Sequence, residues 1–352
     1  MNTNTNSSDA GPRAWTSPPS ELSPPGLPLL ITGIAGVAGY CAFQYFHRLY
    51  PGQVVGTRRK DNWKFTGPGI EDCDAGDVTR LKELFDQYKF QSVLNAEGHC
   101  KLKSCELDPV LAHRANVTGT MALTRVIKTR PVRLIHLSID LVYSGLAGAP
   151  YSESDPPDPV TVYGQTMWET EQRLSDRVPC TILRISLPMG HSFNGHAGAI
   201  DWIVSRFKND RPATLYYDEI RTPQYAHCLS RLCHVLLGRD LLGTFHAGGP
   251  RPLSLFQIAQ VINRVGGYSP NLLHGCPRTD AGPVPPRAGD VRLNSNRLQN
   301  QLGYPPFLPW PLATESVPTN RDWHRERQDH QLGSFADLQR QLCHLDADAP
   351  AD

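Results

Sequence analysis

Three glycines at three-residue intervals, Gly33, Gly36 and Gly39, follow directly on the apolar run Leu27-Pro28-Leu29-Leu30-Ile31-Thr32. Between a buried strand and a helix, such a turn can cradle a pyrophosphate. Gly33 permits the tight turn, Gly36 lets the backbone approach the phosphates, and Gly39 lets helix and strand pack closely. The helix behind the turn offers unbonded N–H groups and the positive end of its dipole. Val37 and Ala38, in its first turn, therefore join the three glycines as dinucleotide-binding candidates. The end of the next strand distinguishes one dinucleotide from another. An acidic residue there would accept from a ribose 2′-hydroxyl, but this chain runs Val54-Val55-Gly56-Thr57-Arg58-Arg59-Lys60. Arg58 and Arg59 could grip a 2′-phosphate with their planar forks. The expected cofactor is thus NADP, with NAD as the alternative; the competing reading of the two arginines is a solvated basic turn.

Positioning such a turn requires a sheet, and the chain supplies the pattern of one. Leu27 to Thr32 reads as a buried parallel strand, Gly36 to Tyr50 as a helix and Gln53 to Thr57 as a strand. Asp77 to Tyr88 reads as a helix and Phe90 to Asn95 as a strand. Ala112 to Thr129 and Val160 to Asp176 read as helices flanking a strand from Val132 to Ser138, and Pro179 to Ile185 as one more strand. This alternation predicts an α/β fold, a doubly wound parallel sheet. After Pro188 the pattern loosens into a smaller C-terminal α/β lobe. Helices are expected at Ala199–Lys208, Ala226–Leu237 and Ser254–Val265, and short strands at Thr214–Tyr217 and Gly243–Ala247, the latter rejoining the main sheet. Asn271 to Pro286 reads as irregular. The organisation expected is a disordered tail over residues 1–26, a dinucleotide-binding domain over 27–188, a substrate lobe over 189–312 and a polar extension over 313–352.

Composition narrows the partners. Lys and Arg number 35 against 34 Asp and Glu, a formal net charge of +1. This gives no electrostatic case for nucleic acid or a membrane surface. No apolar run approaches the roughly 20 residues that span a bilayer, and the Asn-, Ser- and Pro-rich start lacks the plan of a secretory signal. The nine cysteines include no CxxC pair, so a metal site is not expected and free thiols in a reducing, cytoplasmic setting are. A small molecule is the expected partner.

Further segments bear a resemblance to the extended short-chain dehydrogenases, nearest to the branch of dTDP-4-dehydrorhamnose reductase (RmlD-like). They are Thr32 to Gly39, Leu137-Ser138-Ile139-Asp140-Leu141-Val142-Tyr143-Ser144-Gly145, Tyr151 to Asp155, Val162-Tyr163-Gly164-Gln165-Thr166-Met167, Arg221-Thr222-Pro223 and Phe245 to Pro250, within a span from Leu27 to Leu308. The resemblance implies a Rossmann sheet, a nicotinamide cofactor, a nucleotide-activated 4-keto sugar as substrate, and a homodimer. It places Asn95 and Ala96 beside the cofactor, and Asp140, Arg221 and Arg287 toward the substrate, the arginines facing its diphosphate. It also implies a proton relay: a tyrosine donating to the substrate carbonyl, a lysine four residues on, a Ser or Thr at the strand end, and an asparagine. Tyr163 and Asn116 match. Met167 stands at the lysine position and Ile139 at the Ser/Thr position, while Ser138 faces the other side of the strand. A tyrosine titrates ordinarily near 10, and without a positive neighbour nothing brings it toward neutral pH. Glu97 stands where the family has small apolar residues; a carboxylate beside phosphates is repulsive, so it is expected to point away. His99, Lys101 and Lys103, in the loop that follows, are candidates to restore the missing charge, and His191 and His196 sit in a Gly-rich loop, Gly190 to Gly198, read as a substrate lid. Two functions follow: an NADP-dependent reductase, or a degenerate member that binds cofactor or nucleotide sugar as a regulatory or scaffold subunit.

Overall fold

Leu29 and Ile31 enter one apolar cluster and Leu30 the other, so the first strand is covered on both faces. The same alternation separates Leu94 from Val93, Ile135 and Leu137 from Leu134, and Leu183 from Ile182. A sheet buried on both sides needs helices on both, which is what a parallel βαβ chain delivers. The computed structural model describes residues 22–195, 197–327 and 333–343.

The first half runs β1 (Leu29–Thr32), α1 (Val37–Leu49), β2 (Val54–Arg58), β3 (Ile70–Asp72), α2 (Val78–Tyr88), β4 (Ser92–Asn95), α3 (Leu102–Leu107) and α4 (Pro109–His113). A single π-helical turn, Arg114–Thr118, joins α4 to α5 (Gly119–Ile127); β5 (Arg133–Ile139), α6 (Val162–Ser175) and β6 (Thr181–Ile185) follow. The second half runs β7 (Pro188–Met189), α7 (Ala199–Lys208), β8 (Ala213–Tyr216), β9 (Ile220–Arg221), β10 (Gln224–Tyr225), α8 (Ala226–Leu237), β11 (Gly243–Ala247), β12 (Leu253–Ser254), α9 (Leu255–Val265), β13 (Leu273–Cys276), α10 (Asn296–Leu302) and α11 (Phe335–Leu338).

The main sheet has seven strands in the order β11-β6-β5-β4-β1-β2-β3, every neighbouring pair parallel. The strand at Gly243–Ala247 does rejoin this sheet, in register with β6. Strand order reverses between β1 and β4, and a ligand crevice opens at the carboxyl ends of such a pair. The glycine turn follows β1 and Glu97 follows β4, so both stand at this switch point. Ser254 caps α9 in a capping box with Gln257, the reciprocal pairing that satisfies two otherwise unbonded N–H groups.

Three expectations need correction. Leu102–Leu107 is a helix rather than loop, and Leu273–Cys276 is a strand paired with β8 rather than irregular chain. The segment after Leu312 is polar in composition but not merely a solvent-facing extension. Leu338 and Leu342 are fully buried, and the Leu342 carbonyl accepts from Trp310 Nε1 at 2.9 Å. The expected tail falls mostly on residues 1–21, outside the described residues.

Candidate active site at the strand-order reversal

The glycine turn has the shape its spacing predicts. Gly33 has φ +70°, and a Cβ there would meet Ala96 O and Glu97 Cα at 2.6 Å. A Cβ on Gly39 would lie 2.3 Å from Gly33 O. Gly36 differs: its nearest neighbour would be Gly33 O at 3.7 Å, so it faces open space. The first turn of α1, with Val37 and Ala38, begins there without any side-chain cap, leaving N–H groups to meet an anion. These residues fit a dinucleotide diphosphate.

Asn95 serves differently from expectation. It is buried; its amide nitrogen donates to Thr120 Oγ1 at 3.2 Å and meets His136 Nδ1 at 3.0 Å, while its oxygen accepts from Thr32 Oγ1 at 2.6 Å. It braces the floor of the crevice beneath Ala96, tying β1, β4, β5 and α5 together. Burial holds His136 down at about 4, so it stays neutral there. Arg58 is also engaged: its Nε donates to Phe65 O at 2.6 Å. Arg59 lies exposed and paired with Asp61 at 2.6 Å.

The described part of the Gly190–Gly198 loop packs toward the glycine turn and Phe65. Phe193 stacks on Phe65 with ring centroids 3.8 Å apart, and its N–H donates to Ala35 O at 3.4 Å. The loop therefore borders the dinucleotide groove. His196 lies outside the described residues.

Tyr163 sits in the first turn of α6, docked by Gly164, whose absent Cβ would lie 2.1 Å from Leu141 O. It shares one buried cluster with Ile139 and Met167, 7% and 3% exposed. Burial first, then the thiols of Cys100 and Cys105 and the Asp140 carboxyl, push its hydroxyl well above the ordinary tyrosine value; only Arg221 opposes them. A proton donor tuned for neutral pH needs the reverse. Asn116 is no surface amide. It lies buried in the π-helical turn, donating from Nδ2 to Thr166 Oγ1 at 2.8 Å and accepting on Oδ1 from His99 N at 2.6 Å. It thus fastens the loop after β4 to α6, one turn from Tyr163. Lys101 and Lys103 flank Leu102 at the start of α3.

The expected substrate contacts are largely committed elsewhere. Asp140 is fully buried and held by Arg221, Nε to Oδ2 at 2.7 Å with a second bond from Nη2 to Oδ1. Neither side chain reaches a ligand in this arrangement. Glu219, equally buried, joins Arg221 (3.7 Å) to Arg287 (2.6 Å). The result is a row of alternating charge: Asp140, Arg221, Glu219, Arg287. Only Arg287 keeps an outlet, into a cavity of about 280 Å³ that it lines with Ser144, Leu146, Val160, Arg278 and Thr279. A second buried pair escaped sequence reasoning: Arg184 of β6 and Glu171 of α6, 2.7 Å apart. Arg184 also donates to Tyr143 Oη at 2.6 Å, and Ser138 Oγ donates to Glu171. Ser138 therefore does point away from the Tyr163 side.

Comparison with known proteins agrees with this architecture. The model of the RmlD substrate binding domain matches residues 29–318. A probable low-salt glycan biosynthesis reductase, Agl14 of Haloferax volcanii, is 26% identical over 78% of this chain and 91% of its own length. Methionine adenosyltransferase 2 subunit beta of Bos taurus is 22% identical over 79% of this chain and 84% of its own. The solved dTDP-4-dehydrorhamnose reductase of Bacillus anthracis, in complex with NADP, superposes with a TM-score of 0.63 at 18% identity, covering 80% of this chain and 95% of that one. A family model spanning that much of the sequence settles the lineage: the chain belongs to the RmlD substrate binding domain family, within the extended short-chain dehydrogenases.

Proposed function

We propose that this chain binds a nicotinamide dinucleotide at the glycine turn and a nucleotide-activated 4-keto sugar in the cleft toward Arg287, and that it lacks the family's tyrosine-centred proton transfer. It is then a reductase-like protein acting as a binding, regulatory or scaffold subunit. The observation that carries this reading is the burial of Tyr163 among Met167 and Ile139, with every neighbour but Arg221 raising its hydroxyl. A bound nicotinamide would supply a hydride. The chain's part would be to donate a proton to the substrate oxygen, and a phenol whose hydroxyl burial holds well above its ordinary value, with no cation at the lysine position to stabilise the phenolate left behind, is a weakened acid for that step.

Gly33, Gly36 and Gly39, with the N–H groups of Val37 and Ala38, would hold the diphosphate; Ala96 would line the groove. Arg59, exposed just past β2 and paired there with the likewise exposed Asp61, would exchange that partner for a 2′-phosphate, which favours NADP over NAD. Arg287 would meet the sugar nucleotide's diphosphate from the cavity. A second reading rests on Arg221, the one group that lowers the Tyr163 hydroxyl: it would stand in for the lysine and keep the protein an NADP-dependent reductase.

The two readings separate on NADPH absorbance with a panel of 4-keto nucleotide sugars. The expected outcome is NADPH binding without oxidation, identical in wild type and Tyr163→Phe. Oxidation by the wild type that Tyr163→Phe abolishes would overturn the binding reading and establish the reductase.

A further inference from the structure

Glu97 is the one carboxylate in the chain segment that leaves β4 at the strand-order reversal. Its Cα packs against Gly33, since a Cβ on that glycine would lie 2.6 Å away. Its N–H donates to Asn95 Oδ1 at 3.4 Å, which anchors the residue to the crevice floor. The side chain is partly buried. Its charged neighbours come from the ends of the two strands beyond β1: Arg59 after β2 and Asp74 after β3, with the Cys73 thiol beside them. These neighbours put the carboxyl toward the ends of β2 and β3, the adenosine side of the glycine turn.

The surrounding charges do not neutralise it. Arg59 is itself paired with Asp61. Asp74 accepts from the Lys60 N–H at 2.9 Å and adds a like charge. The Lys60 ammonium, 3.7 Å from Asp77, is taken by that residue. Cys73 is pushed up to about 12 by burial and carries no charge at neutral pH. His99, two residues on, turns its ring to Ser104 Oγ at 2.8 Å. Burial, against the pull of Arg59 and with the push of Asp74, brings the Glu97 carboxyl up to about 7.

We infer that Glu97 sets the affinity and pH dependence of the dinucleotide groove: a nucleotide diphosphate binds to the form with Glu97 protonated, and binding draws a proton from solvent. This rests on the dinucleotide reading above. The physical reason is like-charge repulsion across a partly desolvated groove, which a proton on the carboxyl removes. The sign follows from linkage. A ligand that raises the group's pKa is bound more weakly as pH rises through the free protein's value. One such group with a value near 7 weakens binding about tenfold between pH 6 and pH 8.

The test is calorimetric titration of the full chain with NAD+ and with NADP+, at pH 6 to 8.5, in buffers of different ionisation enthalpy. Glu97→Gln is run alongside, and Glu97→Ala as a second variant. The difference between wild type and variant cancels the titration of the NADP+ 2′-phosphate, itself near 6. The expected result is proton uptake by the wild type near pH 7, and affinity falling about tenfold from pH 6 to pH 8. In Glu97→Gln the NAD+ affinity is tighter and level, without that uptake. Wild-type binding that is level with pH and matches both variants would overturn the role of Glu97 while leaving the dinucleotide site standing. No binding of either dinucleotide by wild type or variants at any pH would overturn the dinucleotide reading, and this inference with it.

Discussion

Arg221→Met lowers folding stability by about 3–5 kcal/mol, the usual consequence of removing one partner from a buried ion pair. The size follows from what remains. Asp140 loses its two-pronged partner, and Glu219 is left with Arg287 alone. Burial already pushes both carboxyls upward; at Glu219 it is opposed by Arg287 first and then by Arg221, and at Asp140 it is opposed chiefly by the guanidinium of Arg221. With that opposition gone, their folded-state values rise further above the unfolded ones. A group raised in this way is stabilising at low pH and costly once pH passes its folded-state value. The variant should therefore regain part of its deficit as pH falls from 7 toward 5. The double variant Asp140→Asn, Arg221→Met should be more stable than Arg221→Met, because it buries no orphaned charge at position 140. Urea unfolding at several pH values measures all three. A deficit under about 1 kcal/mol, within the range of exposed pairs, or one that does not change with pH, would contradict this account of the charge row.

The second large effect concerns two neighbouring glycines with opposite roles. Gly39→Ala places a methyl 2.3 Å from Gly33 O and 2.8 Å from Gly33 C, backbone atoms that cannot turn aside. The turn must open, at a cost of about 1–3 kcal/mol or more, and dinucleotide binding is lost with it. Gly36→Ala meets nothing closer than 3.7 Å. It should leave the melting temperature close to wild type while weakening dinucleotide binding at least about tenfold, a loss of about 1.4 kcal/mol, because the methyl fills the space beside the first turn of α1. Thermal unfolding and dinucleotide titration on both variants distinguish packing from binding. Equal melting temperatures for the two would show that Gly39 is not a packing glycine.

Local chemistry made much of this legible in the sequence. The glycine turn, the strand–helix alternation through β6 and the return of Gly243–Ala247 to the sheet all rest on short-range pattern. So did the absence of a lysine after Tyr163. What escaped depended on distant partners. Ile70–Asp72 is a three-residue edge strand with no alternation to read, and Leu273–Cys276 exists because β8 lies beside it. Asp140 and Arg221 are 81 positions apart, so two expected ligand contacts proved to be each other's partners. Glu171 and Arg184 read as an ordinary helix-surface acid and a strand cation until α6 packs on β6. The aromatic contact that draws the Gly190–Gly198 loop toward Phe65 had no signal at all in the spacing of residues.

The central claim is that this chain keeps the family's binding geometry and lacks only its proton relay. The measurement that tests it most directly is NADPH absorbance for the Ile139→Thr, Met167→Lys variant beside the wild type, with the same panel of 4-keto nucleotide sugars. The lysine would bring a cation to the Tyr163 hydroxyl and lower it, and the threonine would offer the missing hydrogen bond to the substrate oxygen. The account predicts NADPH oxidation by the variant and none by the wild type. Oxidation by the wild type at a rate equal to the variant's would contradict it.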